Sequence, residues 1–148
     1  MGHTSTNIIV HFIFSTKYRR ALIHPHIQLR LHAYMGGIVR ELEGIALRVN
    51  GTPDHVHLLV KVPAVCSIAY IARVVKTNSS RWVHEQWPDC REFAWQAGYA
   101  AFSVSASNVA AVTSYIAAQE EHHRKKPFKE EFLAFLRKNG FTEGEQYI

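Results

Sequence analysis

Two histidines, His55 and His57, occupy alternate positions in GTPDHVHLLVKVP, residues 51–63. Read as a β-strand entered from a tight turn, this stretch turns both imidazoles to one face and Val56 to the other. Two ring nitrogens aimed at one ion suit Zn, Mn, Fe, Ni or Cu, and Mg less well, so the pair alone leaves the metal undecided. Ten histidines in 148 residues give roughly 0.7 His-x-His pairs by chance. The chain has a second pair, His24 and His26. Context separates them, because His24 and His26 flank a proline at a helix start whereas His55 and His57 head an apolar strand. The plainer reading of His55 and His57 is two polar strand residues.

A second chemical grouping lies in NVAAVTSYIAAQEEHHRKK, residues 108–126. Helical spacing stacks Tyr115 on Gln119, at i and i+4, with His122 a further turn along. Val109, Val112 and Ile116 form the core stripe, and Tyr115, Gln119 and His122 fall on a flank centred roughly 80° from it. A glutamine carbonyl is a hard oxygen ligand. A tyrosine hydroxyl is a nucleophile when something lowers its pKa or stabilises its product. The plainer alternative is a boundary tyrosine with a packed ring and a wet hydroxyl, beside a solvated basic helix end.

These residues need a scaffold. NIIVHFIFST, residues 7–16, reads as a strand buried on both faces. A helix follows from Pro25 to Glu43, with Ile27, Leu31, Tyr34, Ile38 and Leu42 on its inner face and Gly44 as its stop. IALRVNGTPDHVHLLVKVP predicts a β-hairpin turning through Asn50-Gly51 and Pro53-Asp54. Ile68, Ile71, Ala72, Val75 and Trp82 mark a second helix capped by Ser67. Residues 93–105 read as a fourth strand with a bulge near Gly98, then a helix runs from about Asn108 to His123. PFKEEFLAFLRKNG supplies the last helix, with Pro127 in its first turn and Asn139-Gly140 as its stop. The order is βαββαβ followed by two helices. It predicts an α+β, ferredoxin-like antiparallel sheet with helices on one face plus two C-terminal helices.

A length of 148 residues with 47% hydrophobic content suits one core, so residues 1–148 are expected to form a single domain. No apolar run reaches the roughly 20 residues that span a bilayer, and the start lacks signal-peptide character, so a cytoplasmic, non-membrane protein is expected. Cys66 and Cys90 lack metal-ligand spacing and read as reduced thiols. The net charge of +5 and pI of about 9.4 permit a polyanionic partner without identifying one.

TPDHVHLLV, FAWQAGYAAFSVS, SYIAAQEEHH and PFKEEFLAFLRKNG, in this order, closely resemble the single-tyrosine His-hydrophobic-His (HUH) transposases of the insertion sequence 200/605 family, and FSTKYRRALI extends the likeness to nearly the whole chain. The resemblance implies that His55, His57 and Gln119 are metal ligands for Mg²⁺ or Mn²⁺ and that Tyr115 is the nucleophile. It implies cleavage and rejoining of single-stranded DNA at hairpin-containing ends of a mobile element, through a 5′-phosphotyrosine. It further implies a homodimer in which the tyrosine helix acts in cis or in trans. His122 and His123 are left out of catalysis.

Lys17, Arg19, Arg20, Lys76 and Arg81 are candidate phosphate contacts, with Tyr18 and Trp82 as stacking platforms. Two other functions compete with the transposase: a non-catalytic, domesticated nucleic-acid-binding module of the same fold, and a metal-dependent hydrolase that activates water. No RRM aromatic motif is present, which disfavours RNA recognition of that kind.

Overall fold

The computed structural model describes residues 2–119, 121 and 126–141. Four strands, β1 (Ile8–Ser15), β2 (Ile45–Thr52), β3 (His55–Val62) and β4 (Ala100–Val104), form one sheet in the order β2-β3-β1-β4 with every neighbouring pair antiparallel. Helices α1 (Pro25–Glu41) and α2 (Ile68–Gln86) connect them, and α3 (Val109–Ala117) and α4 (Phe128–Lys138) follow. This is the expected βαββαβ arrangement. Alternation along the strands divides the residues between two faces. Val10, Phe12 and Phe14 of β1 and Val56, Leu58 and Val60 of β3 pack under α1 and α2 with Ile27, Leu31, Ile71 and Val75.

The opposite face is also covered. Ile116 of α3 sits on Ile9 and Leu59, while Phe128, Phe132 and Leu136 of α4 sit on Ile13 and Phe102. That double cover explains why seven of the eight residues of β1 are buried. It leaves a seam between α3 and α4 over the centre of the sheet, where the odd-numbered residues of β1 and β3 point.

Several local expectations change in detail. The hairpin turns through Pro53-Asp54 alone, because Asn50 and Gly51 are paired inside the ladder with His57 and Val56. A Cβ at Gly51 would lie 2.2 Å from the His55 carbonyl oxygen, so this glycine serves a close backbone approach. At the end of α1 the left-handed residue is Glu43 (φ 70°), and the Gly44 N–H closes the turn onto the Val39 carbonyl. Ser67 caps α2 as expected, its hydroxyl accepting from the Tyr70 N–H at 3.1 Å. The last helix also stops where expected, with Gly140 at φ 90° and the Phe141 N–H donating to the Leu136 carbonyl.

The fourth strand is shorter than residues 93–105. Lys76 Nζ donates to the carbonyls of Gln96 (2.7 Å) and Gly98 (2.6 Å), and the Gln96 N–H donates to Ser15. These bonds satisfy the backbone outside a ladder, so only Trp95 makes an isolated bridge, to Thr16, before β4 begins. Helix α3 also ends early, at Ala117, and Ala118 leaves helical geometry (ψ 23°). The Asn50 side chain donates to the carbonyls of Ile116 (3.0 Å) and Ala117 (3.2 Å), supplying donors for carbonyls at the helix end. His122 and His123 lie outside the described residues. No described helix is long and apolar enough to cross a membrane.

Candidate metal and tyrosine site

His55 and His57 are fully buried on the seam face of β3, and their Nε2 atoms turn to the same place. His55 Nε2 lies 3.0 Å from Gln119 Oε1, and His57 Nε2 lies 3.1 Å from Glu131 Oε1. Glu131 Oε1 is also 3.5 Å from His55 Nε2. One ligand atom from each of His55, His57 and Glu131 falls within 4.8 Å of the others. The arrangement can hold a metal ion.

The far side of each ring is also held. The Nδ1–H of His55 donates to Asp54 Oδ1 at 2.7 Å, with Thr52 Oγ1 2.9 Å from the same nitrogen. His57 Nδ1 lies 2.7 Å from Nε2 of the buried His11 on β1. Outer partners of this kind hold each ring in place and favour the tautomer with Nε2 free once an ion replaces the hydrogen bonds made there.

Tyr115 lies beside these groups, half-buried, with its ring 6.0 Å from that of His57 and edge-on to Phe135 at 5.3 Å. Its hydroxyl is hydrogen-bonded with Glu131 and faces Gln119. Thus Tyr115 and Gln119 come together although Ala118 breaks the helix between them. Both approach the histidines of their own chain.

The electrostatics follow from burial and close pairing. Burial alone would lower the His55 pKa, but the carboxylates of Asp54 and Glu131 outweigh it and raise it to about 9. Burial, and then the adjacent His55, push His57 down to about 4, despite Glu131. Burial also lowers His11. For Glu131, burial would raise the pKa, yet hydrogen bonds from His55 and His57 hold it well below the carboxylate range. Burial, then Glu131, raise Tyr115. The tyrosine is therefore protonated at neutral pH.

Glu131, His11 and Asp54 were not singled out from the sequence. Asp54 has a sequence signal, being adjacent to His55 at the turn. His11 sits inside an apolar strand and Glu131 on an ordinary amphipathic helix, so only the packing of β1 and α4 onto β3 reveals them.

The basic candidates separate into different settings. Lys17 and Arg19 belong to a 3-10 turn (Lys17–Arg19) after β1, in which Tyr18 and Arg19 both adopt positive φ (57° and 53°), and Arg20 follows it in extended conformation. Arg19 lies over the Phe128 ring at 5.3 Å, and Phe128 packs on the His55 ring at 4.3 Å, which brings this turn next to the seam. Arg20 pairs with Glu92 at 2.7 Å on the surface. Lys76 is held by the two carbonyls of the 96–98 segment, and burial lowers its pKa. Arg81 is exposed and bonds to Asn78 on its own helix. Trp82 is stacked on Tyr34 (4.4 Å, 8°) and edge-on to Trp87, so its ring is packing for α1 and α2. Tyr18 is 76% exposed.

The family described as "Transposase IS200 like" matches residues 4–119 of the chain. The chain belongs to the IS200-like transposase family. It is 27% identical over 130 residues to the transposase for insertion sequence element IS200 of Salmonella typhimurium, with 84% of each chain covered. It is 27% identical over 118 residues to the ISDra2 transposase TnpA of Deinococcus radiodurans, covering 75% of this chain and 83% of that one. A crystal structure of a transposase from Deinococcus radiodurans R1 superposes with TM-score 0.63 at 22% identity, covering 80% of this chain and 96% of that chain. The REP-associated tyrosine transposase bound to a REP hairpin superposes with TM-score 0.61 at 15% identity, covering 100% and 99%. The fold is therefore that of the tyrosine transposases. Within this IS200-like chain the histidine pair, Tyr115 and Gln119 lie inside the matched residues, whereas Glu131 and all of α4 lie beyond them.

Proposed function

We propose that this member of the IS200-like family cleaves and rejoins single-stranded DNA at the ends of a mobile element, with Tyr115 as nucleophile and Mg²⁺ or Mn²⁺ held by His55, His57 and Gln119. The observation that carries the reading is the convergence of both His Nε2 atoms, Gln119 and Glu131 on one point beside the Tyr115 hydroxyl. The donor set fits a divalent ion: two imidazoles, an amide oxygen and a carboxylate, with both Nδ1 atoms held from behind. Mn²⁺ matches the nitrogen donors better than Mg²⁺ does. Glu131 joins the ligand set in this reading.

When bound, the ion polarises the scissile phosphate and offsets the charge that develops on its oxygens. The protein supplies the rest. His11 and Asp54 hold the imidazoles in one tautomer, and Glu131 accepts the hydrogen bond of the Tyr115 hydroxyl proton. The buried Gln119 Nε2, which has no hydrogen-bond partner among the described residues, offers a donor to a phosphate oxygen. Attack by the Tyr115 oxygen forms a Tyr–O–P bond and breaks the P–O3′ bond, the phenolic proton being lost to solvent and one proton taken from solvent by the departing 3′ oxygen, giving a 5′-phosphotyrosine and a free 3′-hydroxyl. Because the phosphotyrosine conserves the diester linkage, attack by another 3′-hydroxyl rejoins strands without ATP.

The DNA surface in this reading runs from the seam across the Lys17–Arg20 turn, with Arg19 nearest the site and Arg81 more remote. Lys76 contributes chiefly by fixing the 96–98 segment. The protein works as a homodimer, in the cytoplasm, on hairpin-containing ends; a monomeric mass by light scattering at micromolar concentration contradicts the dimer.

The test is a single-stranded oligonucleotide carrying the sequence that flanks the coding region, incubated with the protein and Mn²⁺. An SDS-resistant adduct that maps to Tyr115 and disappears in Tyr115→Phe supports the transposase. Cleavage that survives Tyr115→Phe points to a water-activating hydrolase instead, and DNA binding without cleavage points to a non-catalytic module.

A further inference from the structure

The seam continues past the histidines as an open cleft of about 410 Å³ between α3 and α4. Ala111, Val112 and Tyr115 line it from one helix, and Glu131, Ala134 and Phe135 from the other. Each set repeats at i and i+3 or i+4, so each helix gives a full stripe to the cleft. Among the described residues no side chain fills this gap between two stripes that each contain an alanine, and its volume falls within the range of small-molecule sites.

The lining states what fits. Val112 and Phe135 offer apolar and aromatic surface for a flat ring. Exposed Lys126 and Lys138 line the same cleft and offer positive charge for an anion. Glu131, the one acid among the described lining residues, is already bonded to His57 and Tyr115. A flat heteroaromatic base joined to phosphate meets all three conditions, and the Tyr115 hydroxyl marks where a reacting phosphorus would stand.

We propose that this cleft seats one nucleotide of the DNA strand adjoining the phosphate that Tyr115 attacks, its base between the α3 and α4 stripes and its backbone drawn by Lys126 and Lys138. The inference rests on the tyrosine-nucleophile reading above for the identity of the strand. It makes α4, which lies outside the residues matched to the family, a determinant of which base is accepted beside the cut.

The test is methyl NMR on the full-length protein labelled at alanine, titrated with dAMP, dCMP, dGMP and dTMP in the presence of Mg²⁺. At least one nucleotide should shift the Ala111 and Ala134 methyls saturably, and Ala134→Trp, which fills the cleft, should abolish the response. Ala134→Leu serves as the milder variant if the tryptophan variant does not fold. In the oligonucleotide assay these variants should keep Mn²⁺ binding while adduct formation falls at least tenfold or the base preference beside the cut changes. Silent methyls with all four nucleotides, or equal shifts with inorganic phosphate alone, overturn the proposal. Unchanged cutting and preference in the filled variant overturn it too. If the methyls respond but the wild-type protein forms no adduct, the nucleophile reading fails and the nucleotide site stands; if the adduct forms and the methyls stay silent, the cleft assignment alone fails.

Discussion

His11 Nε2 lies 2.7 Å from His57 Nδ1, joining the central strand β1 to the back of the proposed metal centre. For His57 to present a lone pair at Nε2, its proton must sit on Nδ1 and be donated to His11. His11→Phe removes that acceptor while keeping an aromatic ring in the space. Mn²⁺ affinity by titration calorimetry should fall about 10–100-fold. His11→Asn, which keeps an acceptor, should recover part of it. Equal affinity in wild type and His11→Phe would show that the contact is packing alone.

The pH dependence of metal binding follows from His55. Its pKa of about 9 means that the apo protein carries a proton on this ring at neutral pH, and an ion can bind only after that proton leaves. Mn²⁺ affinity should therefore rise up to about tenfold per pH unit from neutrality towards pH 9 and then level off. About one proton should be released per ion near pH 7.5, detectable as a dependence of the binding enthalpy on buffer ionisation enthalpy. A buffer-independent enthalpy would contradict this.

Apo stability should bend in both directions. The raised His55 pKa contributes stability that is complete below about 6.5 and is lost as pH rises through about 9. The lowered His57 pKa acts oppositely, costing stability as pH falls from about 6.5 through about 4. Glu131, held low, adds to the acid loss once pH drops below the ordinary carboxylate value. Thermal melts of the apo protein should peak near neutrality, and a melting temperature that climbs steadily to pH 9.5 would count against the His55 assignment.

Glu131→Gln removes the carboxylate that faces His55, His57 and Tyr115. Mn²⁺ affinity should fall by at least the roughly tenfold that loss of an outer partner costs, and the alkaline step in apo stability should move to lower pH. Unchanged affinity would place Glu131 outside the ligand set.

Asn50→Ala leaves the Ile116 and Ala117 carbonyls without their side-chain donor. The loss should be about 0.5–1.5 kcal/mol in denaturant unfolding, because water can reach the freed carbonyls. Because Gln119 follows directly after this helix end, Mn²⁺ affinity should fall as well, whereas a change in stability with metal binding intact would confine Asn50 to a structural role.

Much of this architecture was legible because its signals are local. Strand alternation at residues 55–62, the Ser67 cap and the Asn139-Gly140 stop each depend on a few neighbouring residues. The hairpin turn was harder, since Asn50-Gly51 carries as strong a turn signal as Pro53-Asp54, and only cross-strand pairing with Val56 decides between them. The break at Ala118 is hidden in the sequence because the Asn50 side chain that bonds the carbonyls there comes from another element. His55, His57, Tyr115 and Gln119 could be named from motif spacing. His11 and Glu131 could not, since neither residue has a pattern of its own and each reaches the cluster only through tertiary packing.

The most direct test is diffraction from crystals grown with Mn²⁺, recorded for anomalous signal. The account predicts one strong peak bounded by His55 Nε2, His57 Nε2 and Gln119 Oε1, with Glu131 at or beside it and a Tyr115 hydroxyl adjoining. No peak among these atoms, with both histidines keeping their present partners, would contradict it.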